Sequence, residues 1–300
     1  MPESDPDGQA VVRVLAVSDE VSHALQGDLG TLRGARLILA CGDLPADYLS
    51  YLMDALDVPL VFVPGNHDAD MSGYRVSRAG LTLRAGLPAR PPWPQGGVNA
   101  DGRVVDVAGL RVAGLGGCLR YERGPHQYTE RQQSRRSLAL RRRARRRRRR
   151  DGRGIDVLIT HAPPRGVGDS DDLAHRGFSC YHGLVAALQP ATLLHGHVYP
   201  HGATAEGGRL GRTVVRNVVG LHLIDIAAGP AGSTRLVTDT RRAAGTQPAT
   251  GTRAATGTQP AAGTQAATDA RPTTGTRPTT GSRPAVDAWP TRDTGNRHAR

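Results

Sequence analysis

The sequence predicts an α/β fold built on a largely parallel sheet, and three observations carry that expectation. Strand and helix signals alternate from residue 11 to residue 63. Five short apolar runs each close on Asp, Asn or His. Two further β-rich runs, 104–107 and 111–115, flank Ala108-Gly109-Leu110 as a hairpin of a second sheet. Strand–helix–strand alternation favours parallel pairing with crossover helices, and apolar runs of this length bounded by turn residues suit buried strands.

Taken in order, Val14-Leu15-Ala16-Val17 is a strand ending at Ser18-Asp19. Residues 21–32 follow as a candidate helix, weakened by Gly27 and Gly30. Leu37-Ile38-Leu39-Ala40 ends at Cys41-Gly42-Asp43. The spacing of Leu49, Leu52, Met53 and Leu56 predicts a helix over 44–56, with Pro45 suited to its first turn. Leu60-Val61-Phe62-Val63 is the central strand and stops at Pro64-Gly65-Asn66-His67-Asp68. Residues 69–102 are rich in Gly, Pro and polar groups and predict a long loop, which beside a candidate site points to function. Gly116-Gly117 permits either a tight bend or a close backbone approach, and the bend is favoured.

Thr129 and Gln132 have the spacing of a capping box, opening a helix that runs toward Arg150. Val157-Leu158-Ile159-Thr160 ends at His161, and Ala162-Pro163-Pro164 then stops any regular element. Asp169, Asp171, Asp172 and His175 cluster in a polar loop that is favoured as a cap for a helix over 181–188 rather than as a metal site. Thr192-Leu193-Leu194 ends at His195-Gly196-His197, and two strands, 212–219 and 221–226, surround Gly220.

Composition bounds the rest. Apolar residues make up 38% of 300 residues, enough for a core, and the net charge of +12 is carried by Arg, since the chain has no Lys. Three widely spaced Cys argue against a disulfide framework. Residues 1–10 are acidic and turn-rich, unlike a secretory leader, and no run reaches the ~18 apolar residues of a membrane helix. The expectation is a soluble, cytoplasmic protein without membrane partners. It has a flexible N-terminus over 1–10, one domain over 11–238 and a tail over 239–300. The tail is built from Gly, Thr, Pro, Ala and Arg and lacks Leu, Ile, Phe, Tyr and Met, so it predicts disorder.

Polar residues at the ends of buried strands collect at one rim, where open α/β sheets place their ligands. One run ending in Asp or His is common turn chemistry; five in one chain are not. The order Asp19, Gly42-Asp43, Gly65-Asn66-His67-Asp68, Thr160-His161-Ala162-Pro163-Pro164, Gly196-His197 resembles the calcineurin-like metallophosphoesterase superfamily, over residues 11–226. The resemblance implies a four-layer αββα sandwich of two mixed β-sheets with a two-metal centre at the strand ends. It implies Asp19 and Asp43 on one metal, with Asp43 bridging to a second completed by Asn66, His161 and His197. His67 becomes the catalytic His beside the leaving group. This chain departs from the family in having Val21 and Tyr199 where the pattern has His, so one metal is expected to bind tightly and the other weakly.

Asp, Asn and His together suit a divalent Mn, Fe or Zn. Two such ions can stabilise both oxygens of an in-line phosphoryl displacement, and an imidazole can give or take a proton near neutral pH. The implied activity is hydrolysis of a phosphomonoester or phosphodiester, of a small molecule or nucleotide, by metal-activated water. Two alternatives stand beside it: a catalytically weak metal-binding protein, and a nucleic-acid-binding protein. The second rests on Arg141–Arg150, where six consecutive Arg cover every face of a helix at ~3.6 residues per turn. Such a run is either solvated and partly frayed or holds polyanions without sequence preference.

Overall fold

A computed structural model describes residues 10–22, 30–200, 207–228 and 235–240, the last by backbone alone. Most of the N-terminal stretch, most of the candidate helix over 21–32 and nearly all of the low-complexity tail lie outside the described residues. In chain order the strands are β1 (Val11–Ser18), β2 (Leu37–Ala40), β3 (Leu60–Phe62), β4 (Tyr74–Val76), β5 (Thr82–Arg84), β6 (Leu87–Pro88), β7 (Val98–Asn99), β8 (Val104–Val107), β9 (Leu110–Leu115), β10 (Cys118–Leu119), β11 (Gln127–Tyr128), β12 (Val157–Thr160), β13 (Thr192–His195), β14 (Gly207–Leu210), β15 (Thr213–Asn217), β16 (Gly220–Ala227) and β17 (Arg235–Thr240). The helices are α1 (Ala46–Leu56), α2 (Glu130–Asp151) and α3 (Cys180–Leu188).

Two six-stranded mixed sheets carry the fold, ordered β17-β16-β1-β2-β3-β7 and β14-β15-β13-β12-β9-β8. β1, β2, β3 and β7 run parallel; β16 pairs antiparallel with β1, and β17 antiparallel with β16. β9, β12, β13 and β15 run parallel, flanked by antiparallel β8 and β14. β17 extends to Thr240, past the change in composition at Asp239.

The period of two along each strand builds the layers. Val12, Val14 and Ala16 of β1 meet Val112, Val157, Ile159 and Leu194 of the second sheet in one core between the sheets. The alternate residues Leu15 and Val17 face outward and pack with Leu49 and Leu52 of α1. Across the molecule, Ala113, Leu158 and Leu193 pack with Leu140 of α2 and Leu184 and Val185 of α3. The result is the expected αββα sandwich, and strands buried on both faces explain why the runs are apolar throughout. No helix among the described residues is long and apolar enough to cross a membrane.

Several local expectations change. Val21 and Ser22 are non-helical and Gly30–Leu32 is a single 3₁₀ turn. The presumed loop over 69–102 holds the small antiparallel sheet β4-β5-β6, and β7 joins the first sheet. Their two or three residues apiece are too short for a period of two to register against the surrounding Gly and Pro. Gly116-Gly117 serves a close approach rather than a free bend: a Cβ on Gly116 would meet Pro64 O at 2.5 Å, and Gly117 N donates to Pro64 O at 2.8 Å. The Asp cluster does not cap α3. Asp169 accepts the amides of Gly166 and Gly177 at 2.8 and 3.0 Å, tying its own loop, because it lies too far upstream of the helix start for a cap. Glu130 takes that role, accepting from Ser179 N and Cys180 N at 3.1 and 2.7 Å.

α2 has the Thr129–Gln132 capping box and stays helical through the whole Arg run to Asp151, where Gly152 closes it in a left-handed conformation. Gln133, Ser137, Leu140 and Ala144 form its buried stripe. Arg143 donates to Gly102 O and Arg147 pairs with Asp106 at 2.8 Å. The helix end is anchored by Arg111 on β9, which is only 2% exposed. Its guanidinium donates to Asp106 Oδ1 and Oδ2 at 2.7 and 3.2 Å, to Asp151 Oδ1 and Oδ2 at 3.0 and 2.6 Å, and to Arg153 O at 3.1 Å. Every N–H of the planar fork is thereby used.

Hydrogen bonds from Arg111, and its charge, hold the Asp106 and Asp151 carboxyls below the ordinary range. Carboxyls depressed in the folded state add stability that is complete above their ordinary pKa of ~4 and lost as pH falls through the folded values. Thermal melts of Arg111→Gln are expected to show a midpoint lowered by roughly 5 °C or more at neutral pH. Below about pH 4 the gap to the unmodified chain should narrow; a gap constant from pH 7 to pH 3 would show that this pairing does not matter to the fold.

Candidate metal centre

The parallel strands of both sheets point their C-terminal ends to one edge. From the first sheet, β1 delivers Asp19, β2 delivers Asp43 and β3 delivers Asn66; from the second, β12 delivers His161 and β13 delivers His197. Three of these residues turn sharply off their strands. Asp19, Asp43 and His197 have φ of 61°, 58° and 70°, a region that side chains with a Cβ seldom adopt. The loops then touch where only glycine fits: a Cβ on Gly65 would overlap the Asp43 carboxylate, and one on Gly196 would overlap Ser18 Oγ and the Asp19 carboxylate.

One ligand atom from each of Asp43, His161 and His197 lies within 4.8 Å of the others. His161 is fully buried. Its Nδ1 lies 2.7 Å from Cys41 O, and a carbonyl requires a donor there, so the neutral ring keeps its lone pair on Nε2. That Nε2 faces Asn66 Oδ1 at 3.0 Å and Asp43 Oδ2 at 3.2 Å. Lone pairs facing lone pairs repel unless a proton or a cation stands among them. Burial alone would lower the His161 pKa, but the charge and hydrogen bond of Asp43, with Asp19, push it up to about 9. The site therefore attracts positive charge, and its mixed oxygen and imidazole donors fit a divalent metal.

The neighbours orient these donors. His197 Nε2 lies 2.7 Å from Ala174 O, which leaves the lone pair of the neutral ring on Nδ1. Burial and the nearby His161 lower its pKa to about 3, so it stays neutral. Asn66 Nδ2 donates to Tyr121 Oη at 3.2 Å, turning Oδ1 toward His161. Asp43 Oδ1 accepts His67 N at 2.8 Å. Burial raises the Asp43 pKa, but the charge and hydrogen bond of His161 outweigh it and the net direction is down. Asp68 was legible only as part of the motif; its Oδ2 accepts Gly65 N at 2.8 Å and Asp43 N at 3.1 Å and ties the two loops together. Tyr121, Ala174 and Cys41 O carry no sequence signal, because their contribution is a position.

Asp19 stands slightly apart. Its Oδ2 accepts Ser18 Oγ at 2.5 Å and His197 N at 2.9 Å, and burial raises its pKa. Val21 packs against the apolar cluster around α1, and Tyr199 is 44% exposed. His23 and His201, which could stand in for the missing imidazoles, lie outside the described residues. The His67 residue is exposed at the rim. Arg120 donates to Gln127 O and to Gln132 Oε1 of α2, and Arg165 pairs with Asp169 and Asp171 in its own loop.

The family model for calcineurin-like phosphoesterase matches residues 19–200. The search of curated proteins finds no match. One crystal structure covers 77% of this chain and 100% of its own at 15% identity and a TM-score of 0.47. The structure of TT1561 from Thermus thermophilus covers 73% of this chain and 95% of its own at 17% identity and a TM-score of 0.44. A candidate 5'-nucleotidase from Staphylococcus aureus covers 76% of this chain and 54% of its own at 11% identity and a TM-score of 0.41. The family match begins at Asp19, ends just past His197 and takes in more than half of the 300 residues, and on that ground the chain belongs to the calcineurin-like phosphoesterase family.

Proposed function

We propose that the chain hydrolyses a phosphomonoester or phosphodiester at this strand edge, with Asp43, Asn66, His161 and His197 holding a divalent cation and His67 serving the leaving oxygen. The observation that carries the proposal is His161 Nε2 facing two oxygens, Asn66 Oδ1 at 3.0 Å and Asp43 Oδ2 at 3.2 Å. A divalent ion bound there would supply Lewis-acid stabilisation of phosphoryl charge and make a water more acidic. The chain's own residues do the rest. Cys41 O holds the His161 tautomer, Ala174 O holds that of His197, and Asp68 and the His67 amide fix Asp43. The exposed His67 side chain, at the rim next to Asn66, is free to donate a proton to the departing oxygen.

Asp43→Asn and His197→Ala are expected to abolish turnover of a chromogenic phosphodiester with added Mn and to lower metal content measured by elemental analysis. His67→Ala should lower turnover about a hundredfold while leaving metal content unchanged. If His67→Ala strips metal as fully as His197→Ala, this division of roles is wrong.

A second ion beside Asp19 and Asp43 has poor support. Val21 brings no lone pair. A phenol must lose its proton to ligate well, and burial, with Asp19, Glu20 and Asp43 nearby, raises the Tyr199 pKa. Purified protein should hold nearer one metal than two, and Val21→His combined with Tyr199→His should bring the content toward two. Two tightly held ions in the unmodified chain would refute the weak-site assignment.

One observation favours a second property, contact with nucleic-acid phosphates. Arg141, Arg142, Arg145, Arg146 and Arg148–Arg150 have no carboxylate partner among the described residues, and Arg141, Arg142, Arg145 and Arg148 line a cleft of about 450 Å³ against α3. Replacing Arg145–Arg150 with Ser should weaken salt-sensitive retention on DNA and RNA columns and leave small-ester turnover intact. Retention that is unchanged by that replacement would exclude this surface.

A further inference from the structure

We infer that the organic group of the substrate is planar and aromatic and bears no further anionic group, and that it lodges in the apolar cleft beside Asp43 and His67 with Trp93 as one wall. The inference rests on the phosphoesterase proposal for the reacting end of the molecule and extends it to the other end. A cleft of about 360 Å³ opens along Asp43 and His67 and is walled by Leu44, Phe62, Met71 and Trp93, with Pro92 and Pro94 beside them. That volume is in the range of small-ligand sites, ~300–1,000 Å³, and a mostly apolar lining with a few polar groups at one end is their usual composition.

Three features select the class of ligand. The charged or titratable side chains of the lining are Asp43, Asp68 and His67, all at the reacting end. No Arg among the described residues lines the cleft, so nothing there would grip a second phosphate or a carboxylate. Arg90, the nearest cation along the chain, pairs with Asp47 at 2.9 Å and lines a neighbouring cleft instead. The Trp93 indole is held in place: Tyr74 meets it edge-on, with centroids 5.5 Å apart and planes at 77°, and the ring also packs on the α1 core. A fixed indole offers a flat surface for offset stacking with little loss of freedom on binding. Met71 lies across the same cleft, its sulfur 3.6 Å from Asn99 Nδ2, and a thioether adapts its shape to an aromatic ring. An aryl ring and a nucleobase share this chemistry.

The test compares benzyl phosphate with butyl phosphate, and their methyl diesters, whose alcohols have similar acidity. With metal-loaded full-length protein, Trp93→Ala should raise KM for the benzyl esters about tenfold while sparing kcat and leaving the butyl esters unchanged. Trp93→Phe should keep most of the benzyl preference, which separates stacking from a folding defect. A second readout needs no turnover. Trp93 and Trp289 are the only two tryptophans, so in Trp289→Phe the emission reports Trp93 alone; phenylphosphonate should change it and methylphosphonate should not. Adenosine monophosphate in the same titration distinguishes a nucleobase from a simple aryl ring. Failure to turn over any ester would overturn the phosphoesterase proposal, and the fluorescence would still decide the cleft. Equal effects of Trp93→Ala on benzyl and butyl esters, or equal emission changes with both phosphonates, would overturn the cleft assignment.

Discussion

One buried imidazole joins the two halves of this molecule. His161 leaves the end of β12 in the second sheet and reaches into the loops of the first, with Nδ1 on Cys41 O at 2.7 Å and Nε2 beside Asn66 and Asp43. The inter-sheet core brings the two sets of strand ends within reach, and the fully buried ring couples them. Its surroundings make the charge preference of the site plain. Burial disfavours a charged imidazole, yet Asp43 and Asp19 prevail and raise its pKa to about 9. A site that pulls a proton onto a buried ring has an excess of negative potential, and a divalent cation is the stronger answer to the same field.

Holding that arrangement requires backbone in unfavourable conformations. Asp19, Asp43 and His197 all adopt positive φ, each at a cost of roughly 1–3 kcal/mol. The sandwich supplies the constraint: the inter-sheet core is built mainly of buried valine, leucine and isoleucine from both sheets, and short amide contacts such as Gly117 N to Pro64 O tie the exit loops to one another. Asp68, accepting the amides of Gly65 and Asp43, acts in the same sense. A close-packed interior behind these strand ends holds the strained backbone in place.

The opposite side of the molecule is organised by charge. α2 continues as a helix through a run of arginines that would repel one another in isolation, because its buried stripe packs on the second sheet and its end is anchored by Arg111 through Asp106 and Asp151. Arg141, Arg142, Arg145 and Arg148, without a carboxylate partner among the described residues, line a cleft against α3 instead. The apolar cleft walled by Trp93, by contrast, is lined by Asp43 and His67 and so lies beside the candidate metal site.

What the sequence determined by itself was the set of elements whose signal is local. The apolar runs ending in Asp, Asn and His, the Thr129–Gln132 capping box and the 104–115 hairpin are all visible without tertiary information, since periodicity and capping act over a few residues. The donor types of the candidate site were legible for the same reason: each sits where a buried run stops. What only the tertiary structure decided depends on residues far apart in the chain. Glu130 caps α3 from 49 residues away, the β4-β5-β6 sheet forms from strands too short to show a period, and Gly116 is required by the approach of Pro64 rather than by its own turn. The tautomers of His161 and His197 are set by the carbonyls of Cys41 and Ala174. A carbonyl is present at every position, so no residue type announces which one will serve; only packing brings the right one to the ring.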